Sequence, residues 1–400
     1  MNLRLLAWKS LTSRRSTAIL TIVSIAISVV LLLGVEKIRI NAQSSFANTI
    51  SGTDLIVGAR SGSIQLLLYS VFRIGNATNN ISWKSYQTVA QKKGIKWTIP
   101  ISLGDSHRGF RVMGTNKDYF SFYQYGQKRN LKLITGKPFN DLFDTVVGSE
   151  VAKSLSYSVG DEVIISHGTV STSFSEHKDK PFIISGILEH TGTPVDRTVH
   201  VSLEGIEAMH VNWQGLVKKR KVGNILSEAN LQPESITAFL IGLDSKIMSF
   251  KLQRFINEYT AEPLLAIFPG IALYELWSLM SVAEKALLII SIFVVIASLT
   301  GMLAVSLAGL NERRREVAIL RSVGASHWHI MGLIITETLL LTLVGILLGI
   351  AILYSAIGLG QPIIEANYGL FIPISLPNKR EFVMISILLF TGFTVGLIPA

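Results

Sequence analysis

Four side chains that could ligate a metal ion lie in the middle of this sequence. His167, Glu176 and His177 fall within SHGTVSTSFSEHKDKPF, and His190 follows further on. Imidazole and carboxylate groups across a hairpin can bind zinc or another divalent ion. Their spacing matches no familiar zinc pattern, so a solvated polar loop between two strands is the competing interpretation. Whether His167 and His177 bind a metal is therefore left open.

Motifs for other chemistry are absent from the sequence. It contains no GxxxxGK[ST] phosphate-binding loop, no HExxH and no GxSxG. It also contains no cysteine, which excludes disulfides, thiolate metal sites and cysteine nucleophiles. We therefore expect no catalytic residue and no cofactor bound by this chain, and do not expect it to be an enzyme.

One carboxylate and two glycines stand out inside a long apolar run. Glu337 lies in a segment where a charge is costly, so it is a candidate for a membrane-embedded functional group. The alternative is a side chain that reaches back to the nearby membrane interface. Gly345 and Gly349 follow as a GxxxG pair, which permits close approach of two helices.

The composition is that of a membrane protein. Of 400 residues 49% are hydrophobic and only 16% are charged, and the mean hydropathy is +0.44. Long apolar runs predict four transmembrane helices. We place them at residues 16–36, 276–310 with an extracytoplasmic extension, 328–358 and 382–400. The net charge of +10 does not indicate nucleic-acid binding, because many positive charges flank these runs.

The flanking charges predict an orientation. Arg4, Lys9, Arg14 and Arg15 precede the first span, and four arginines separate the second from the third. Both places are expected in the cytoplasm, so both termini are inside and residues 37–275 and 359–381 are outside. The first span is longer than a signal-peptide core and lacks a cleavage site, which favours an uncleaved anchor. Residues 1–15 mix leucines with basic residues, which predicts an interfacial amphipathic helix.

The outside region has the pattern of a mixed α+β domain. We expect strands at Gly109 to Thr115, Asp161 to His167, Pro181 to Leu188 and Ile236 to Leu243. Two strand–helix units, DTVVGSEVAKSL and ITAFLIGLDSKIMSFKLQRFINEY, suggest two subdomains. The apolar stretch SIQLLLYSVFRIG is either a core helix or a surface for lipid or apolar substrate, and the core is favoured. The predicted fold is thus an α-helical membrane protein with four transmembrane helices and a large mixed α+β extracytoplasmic domain between the first and second.

A basic, amphipathic segment at residues 311–327 separates the second and third spans. In a helix, Val317, Leu320 and Val323 share one face, and Gly324 is suited to a left-handed stop. A topology signal alone would explain the arginines but not this order, nor the interleaved Glu312 and Glu316. We therefore predict a short cytoplasmic helix that receives force from a soluble partner.

This segment, ERRREVAILRSVGAS, closely resembles the signature of the FtsX-like permeases, which include the MacB and LolC/LolE types. Glu337, Gly345 and Gly349 fall where such permeases carry similar residues, and VVGSEVAKSL…VGDEVII resembles the MacB-like core domain. The order of one span, a large outside domain and three spans matches as well. The signature is fitted by Glu312, Arg313, Glu316, Val317, Ala318, Leu320, Arg321, Gly324 and Ala325.

The resemblance implies an ABC transporter permease that pairs with a second permease copy, identical or related, in the bacterial inner membrane. An ATPase dimer would bind ATP and Mg²⁺, and its work would move the periplasmic domain, a mode called mechanotransmission. This chain has no ATP-binding motif, so the ATPase is expected to be a separate subunit. Expected ATPase-coupling residues are Glu312, Arg313, Arg314, Arg315, Glu316, Val317, Leu320, Arg321 and Gly324.

Other partners and roles stay open under this resemblance. Substrate would be exported or extracted from the periplasm or the outer leaflet, in contact with membrane lipids, and a periplasmic adaptor or substrate-binding protein is a further candidate partner. FtsX itself regulates an extracytoplasmic partner without transport, which is the alternative function. An extracytoplasmic enzyme is a third hypothesis, and the lack of catalytic motifs speaks against it.

Overall fold

The computed structural model describes residues 15–167, 175–176, 181–210, 231–322, 324, 326–368 and 377–398. The predicted interfacial helix at residues 1–15 lies almost entirely outside this part. The described α-helices are α1 (Arg15–Thr49), α2 (Ser63–Ser70), α3 (Trp83–Ala90), α4 (Asp118–Phe122), α5 (Ser149–Leu155), α6 (Leu203–His210), α7 (Met248–Asn257), α8 (Pro269–Ser322), α9 (His327–Tyr368) and α10 (Lys379–Leu397).

The strands in the described residues all lie between α1 and α8. They are β1 (Leu55–Ala59), β2 (Ile81–Ser82), β3 (Ile95–His107), β4 (Phe110–Thr115), β5 (Gln124–Tyr125), β6 (Arg129–Asn130), β7 (Leu133–Gly136), β8 (Asp144–Val147), β9 (Glu162–Val163), β10 (Ser166–His167), β11 (Ser175–Glu176), β12 (Phe182–Leu188), β13 (Thr198–Ser202), β14 (Ser235–Ile236), β15 (Ala238–Leu243) and β16 (Leu264–Ile267).

The chain divides into two compact units. One holds most of the long apolar helices, and the other holds the strands and the short helices; the boundaries fall after Ala42 in α1, after Ser278 in α8 and after Glu365 in α9. Each of these helices is unbroken at its boundary.

The strand unit is built on one mixed sheet. Its main path runs β16-β1-β15-β3-β4-β13-β8-β12-β7, with β4–β13 and β8–β12 parallel and the other neighbours antiparallel. Both predicted strand–helix units are present, as β8 with α5 and β15 with α7, and both belong to this sheet. The strand predicted at Asp161 to His167 is two short strands, β9 and β10, which pair with β12 and β3.

The apolar stretch that begins at Ser63 is part of the core of this unit. It forms α2, where Leu66 and Leu67 are fully buried, and Val71 and Phe72 after the helix are buried too. The preference for a core helix over a lipid-facing surface is therefore confirmed.

The helical unit contains four candidate membrane spans by length and composition. They are Arg15–Asn41, Pro269–Ala304, His327–Gln361 and Lys379–Leu397. Ile25, Val29, Leu33 and Ile346 are in its buried apolar core. Together with the mixed sheet between the first and second spans, these helices confirm the predicted fold class.

The helices run further than the predicted spans. α1 continues to Thr49, α9 to Tyr368, and α8 includes residues 311–322, which we had predicted to be a separate helix. The sequence from 311 to 322, NERRREVAILRS, contains no proline or glycine and is rich in helix-forming residues. Hydropathy marks where a helix leaves lipid and not where the helix itself ends.

Candidate functional site

α8 ends at Ser322, and Gly324 of the predicted coupling segment follows in a left-handed conformation. Gly324 has φ of +90°, a left-handed conformation that favours glycine, and its N–H donates to the carbonyl of Arg321 at 3.0 Å. Arg321 and Gly324 are both exposed. The segment therefore leaves the helix with a defined turn before α9 begins at His327.

Most side chains of the coupling segment lie outside the described part of the structure, so their predicted arrangement stays a prediction. The backbone of residues 312–320 belongs to α8, but no side-chain contact is described for Glu312, Arg313, Arg314, Arg315, Glu316, Val317 or Leu320.

The glycine pair on α9 lies directly against α1. A Cβ built on Gly345 would be 2.8 Å from Cβ of Ile25, and one on Gly349 would be 2.7 Å from Cβ of Val29. These separations are shorter than carbon atoms tolerate, so only glycine lets the two helices approach this closely. The close approach predicted from the GxxxG spacing is present.

A second glycine pair, which the sequence analysis did not single out, lies on α10. A Cβ on Gly392 would be 2.7 Å from Oγ1 of Thr342 on α9, and one on Gly396 would clash with Oγ1 of Thr338. The same GxxxG spacing, GFTVG, is visible in the sequence and was the signal that could have located this contact. The paired glycines thus bring α9 close to both α1 and α10.

Glu337 lies inside the helical unit. Glu337 is only 8% exposed. The hydroxyl of the next residue, Thr338, donates to the carbonyl of Ile334 at 3.1 Å. The side chain is therefore among the helices and not on their outer surface. Its functional role stays a prediction.

A buried group of charged residues joins three helices of this unit. Lys37 of α1 lies with Nζ 3.2 Å from the Tyr354 hydroxyl of α9 and 3.8 Å from Oε2 of Glu381 of α10. Lys37 and Glu381 are each 4% exposed. Because a buried charge that loses its partner is strongly unfavourable, this group favours one arrangement of the three helices.

Glu36 forms the neighbouring part of this group. Its carboxylate accepts from Arg39 at 2.7 and 2.9 Å in a two-point contact, and Nη1 of Arg380 lies 3.9 Å away. The sequence analysis did not single out Glu36, Lys37 or Arg380. Charged residues immediately after a long apolar run were the available clue.

Metal binding at His167 and His177 is not tested by the structure. His177 and the side chain of His167 lie outside the described residues, and His190 is 3.0 Å from the Asp196 carboxylate through Nδ1. Within the described ranges, no three His, Asp or Glu residues are arranged to hold a metal ion.

A buried histidine of the strand unit is held uncharged. Burial, with the positive charge of Arg73 adding to it, lowers the pKa of His200 to about 3. Its Nδ1 is 3.1 Å from the carbonyl of Val146, which assigns the proton to that nitrogen, since a carbonyl only accepts. The ring packs against Tyr119, whose pKa burial raises to about 12. The His200 ring is therefore held neutral by its buried surroundings.

Two family models match the sequence. Residues 18–231 match the MacB-like periplasmic core domain, and residues 288–400 match the FtsX-like permease C-terminal domain. No curated protein matches this chain significantly.

Two solved structures are similar at a distance. The periplasmic region of MacB from Actinobacillus actinomycetemcomitans is 10% identical, with 56% of this chain and 92% of that chain covered and a TM-score of 0.34. The extracellular domain of the noncanonic ABC-type transporter YknZ from Gram-positive bacteria is 13% identical, with 54% and 99% covered and a TM-score of 0.31.

Proposed function

This chain belongs to the FtsX-like permeases with a MacB-like periplasmic core domain, whose model covers more than half of it, and we propose that it is the transmembrane subunit of an ABC transporter driven by a separate ATPase. It is a membrane protein with an extracytoplasmic domain. The proposal concerns how that domain is moved and by which partner.

The continuity of α1 and α8 supports mechanotransmission. α8 has 54 residues and is therefore about 80 Å long, and it is unbroken from the strand unit to the predicted coupling segment. The hydrogen-bond ladder of a helix makes it stiff along its axis. A displacement at residues 312–322 would accordingly be carried to Pro269, next to β16 in the sequence.

The direction of this coupling follows from the flanking charges. We place both termini and residues 311–327 in the cytoplasm of a bacterium, and the strand unit in the periplasm. An ATPase dimer, holding ATP and Mg²⁺, would bind the cytoplasmic segment of this chain and of a second permease copy. Substrate would then be exported or extracted from the periplasm or the outer leaflet, with or without a periplasmic adaptor.

A second function is compatible with the same architecture. An FtsX-like regulator would use the same helices to change the activity of an extracytoplasmic partner without carrying any cargo. Both functions require the coupling segment, whereas only the first requires transport.

The test of coupling is Leu320→Asp. We propose that the predicted apolar face, with Val317 and Leu320, fills a groove on the ATPase. An aspartate at position 320 would enter that groove without a partner, and an unpaired desolvated charge costs several kcal/mol. We expect the variant to insert normally but to lose co-purification of the ATPase and its effect on ATP turnover. Gly324→Val should act in the same direction, because φ at that position is +90°.

Ser322→Asp is the matched control. It adds the same charge to the same helix at an exposed position, which helical periodicity puts opposite Val317 and Leu320. It should retain the ATPase. Normal ATPase binding and turnover in Leu320→Asp would mean that the segment is only a topology signal. Movement of a cargo in the intact complex then separates transport from regulation.

A further inference from the structure

A cleft in the strand unit carries two arginines and no acidic residue. Its volume is about 280 Å³, and its walls include Tyr69, Arg73, Asn76, Asn80, Leu103 and Arg111. Every residue lining it is described, and none is Asp or Glu. The cleft thus combines positive charge, amide groups and apolar surface, which is the usual make-up of a small-molecule site.

Arg73 is held in an unusual backbone conformation. It follows α2 with φ of +60°, and the next residue, Ile74, donates its N–H to the carbonyl of Leu68 at 3.0 Å. Glycine is the usual residue at this left-handed position after a helix, because other side chains are strained there. Strain that persists at such a position points to a requirement for the side chain itself.

The guanidinium of Arg73 has few partners within the protein. Its Nη2 lies 2.6 Å from the sulfur of Met113, a weak acceptor, and its Nε and Nη1 are buried with no hydrogen-bond acceptor among the described residues. The nearby Tyr119 hydroxyl does not reach hydrogen-bonding geometry with either nitrogen. A positive charge in this setting is stabilised when an anion approaches it.

Arg111 adds a second positive charge that is more accessible. It is half-buried on β4 and donates from Nη2 to the carbonyl of Gly75 at 3.1 Å, which orients its guanidinium at the cleft. Its other nitrogens are left for a ligand, and the exposed side chain of Asn76 offers amide donors beside it. Two guanidinium groups at one cleft favour a planar or tetrahedral oxyanion.

We propose that this cleft binds the anionic group of a small ligand, a carboxylate or a phosphate, with an apolar part of the ligand against Leu103 and Tyr69. Arg111 contacts the anion directly, and Arg73 supplies positive charge from beneath. The proposal concerns the strand unit alone and does not depend on coupling to an ATPase.

The absence of cysteine allows a direct test in the full chain, reconstituted in lipid nanodiscs. Ala77→Cys puts one thiol at the cleft, and its modification rates by anionic sulfonatoethyl and cationic aminoethyl methanethiosulfonate are compared. Because a positive cleft concentrates anions, we expect the anionic reagent to react roughly tenfold faster, relative to the rates of both reagents with a free thiol.

Variants on this background identify the source of the preference. Arg111→Gln should lower the ratio of the anionic to the cationic modification rate several-fold, and Arg111→Lys should keep most of that ratio. Arg108→Gln is the matched control, because Arg108 is an exposed arginine on the same hairpin that does not line the cleft. An equal loss in Arg108→Gln and Arg111→Gln would overturn the assignment.

Competition by added anions distinguishes the two ligand chemistries. Millimolar inorganic phosphate or benzoate, at ionic strength held constant with chloride, should slow the labelling of Ala77→Cys. Protection by phosphate alone indicates a phosphate ligand, and protection by benzoate alone indicates a carboxylate with an apolar body. Equal rates for the two thiol reagents, or protection by neither anion, would overturn the proposal.

Discussion

His200 of β13 lies where a charge is disfavoured. Its folded-state pKa is about 3, well below the ordinary value of 6.5, chiefly because the ring is buried. As pH falls below 6.5 the unfolded chain takes up this proton while the folded chain does not. The contribution of neutral His200 to stability is therefore fully present above pH 6.5 and is lost as pH falls towards 3.

The first prediction is that His200→Phe reduces the acid sensitivity of the strand unit. Each pH unit between these limits should cost the native protein up to roughly 1.4 kcal/mol more than the variant. At pH 8 the variant should be the less stable one by about 1 kcal/mol, since it loses the bond to the Val146 carbonyl. Hydrogen-exchange protection of β13, measured from pH 4.5 to 8 in detergent, gives the comparison.

The difference between the two proteins is the required readout, because carboxylates elsewhere also titrate in acid. Parallel stability curves for His200→Phe and the native protein over this range would contradict a buried neutral histidine.

Between helices, close packing at glycine is the feature that sets the arrangement of the membrane unit. Gly345 and Gly349 bring α9 against α1, while Gly392 and Gly396 bring α10 against α9. The buried group of Glu36, Lys37 and Glu381 then joins helices that these glycines have already brought close. Apolar contact alone would leave their rotation less defined, since lipid is as apolar as the helix surfaces.

The second prediction concerns Gly349→Ala. The added methyl would lie 2.7 Å from Cβ of Val29 and 2.8 Å from the carbonyl oxygen of Ala26, so α1 and α9 must separate. Overpacking of this kind costs about 1–3 kcal/mol, and we expect a lower midpoint of thermal unfolding in detergent.

Gly301→Ala is the matched control within a membrane helix. A Cβ at Gly301 of α8 meets no described atom within 4 Å, so the same substitution should leave the unfolding midpoint unchanged or slightly raised. An equal decrease in both variants would show that contact with α1 does not explain the effect.

At the scale of the whole molecule, the orientation in the membrane decides which end meets an ATPase. Arg313, Arg314, Arg315 and Arg321 follow the second span, and four more basic residues precede the first. Because positive charge is retained on the cytoplasmic side, we predict that both groups lie in the cytoplasm, and Lys379 and Arg380 are too few to reverse this orientation.

The third prediction is therefore topological. A reporter that works only in the cytoplasm should be active when it is fused after Leu310. A reporter that works only outside should be active when it is inserted near Asn130, at the exposed strand β6. Alkaline phosphatase and a fluorescent protein, which are active on opposite sides, give complementary signals. Both reporters on one side would rule out the four-span arrangement.

The sequence alone predicted those properties that depend on one residue or on a local pattern. Hydropathy predicted the four spans, because lipid acts on each apolar residue separately. Alternation and turn residues predicted β4, β12 and β15. Spacing predicted that Gly345 and Gly349 would allow a close contact, and residue type predicted the left-handed turn at Gly324, because only glycine enters that conformation without strain.

The tertiary structure decided which distant residues meet. Nothing in a local pattern pairs Lys37 with Glu381, separated by most of the chain, or brings Arg73 and Arg111 to one cleft. These contacts depend on the packing of whole helices and strands. Many local sequences would form the same helix or strand, but only a few arrangements of those elements bury the apolar faces and leave the charges paired. The α1 partner of the α9 glycines was decided there as well.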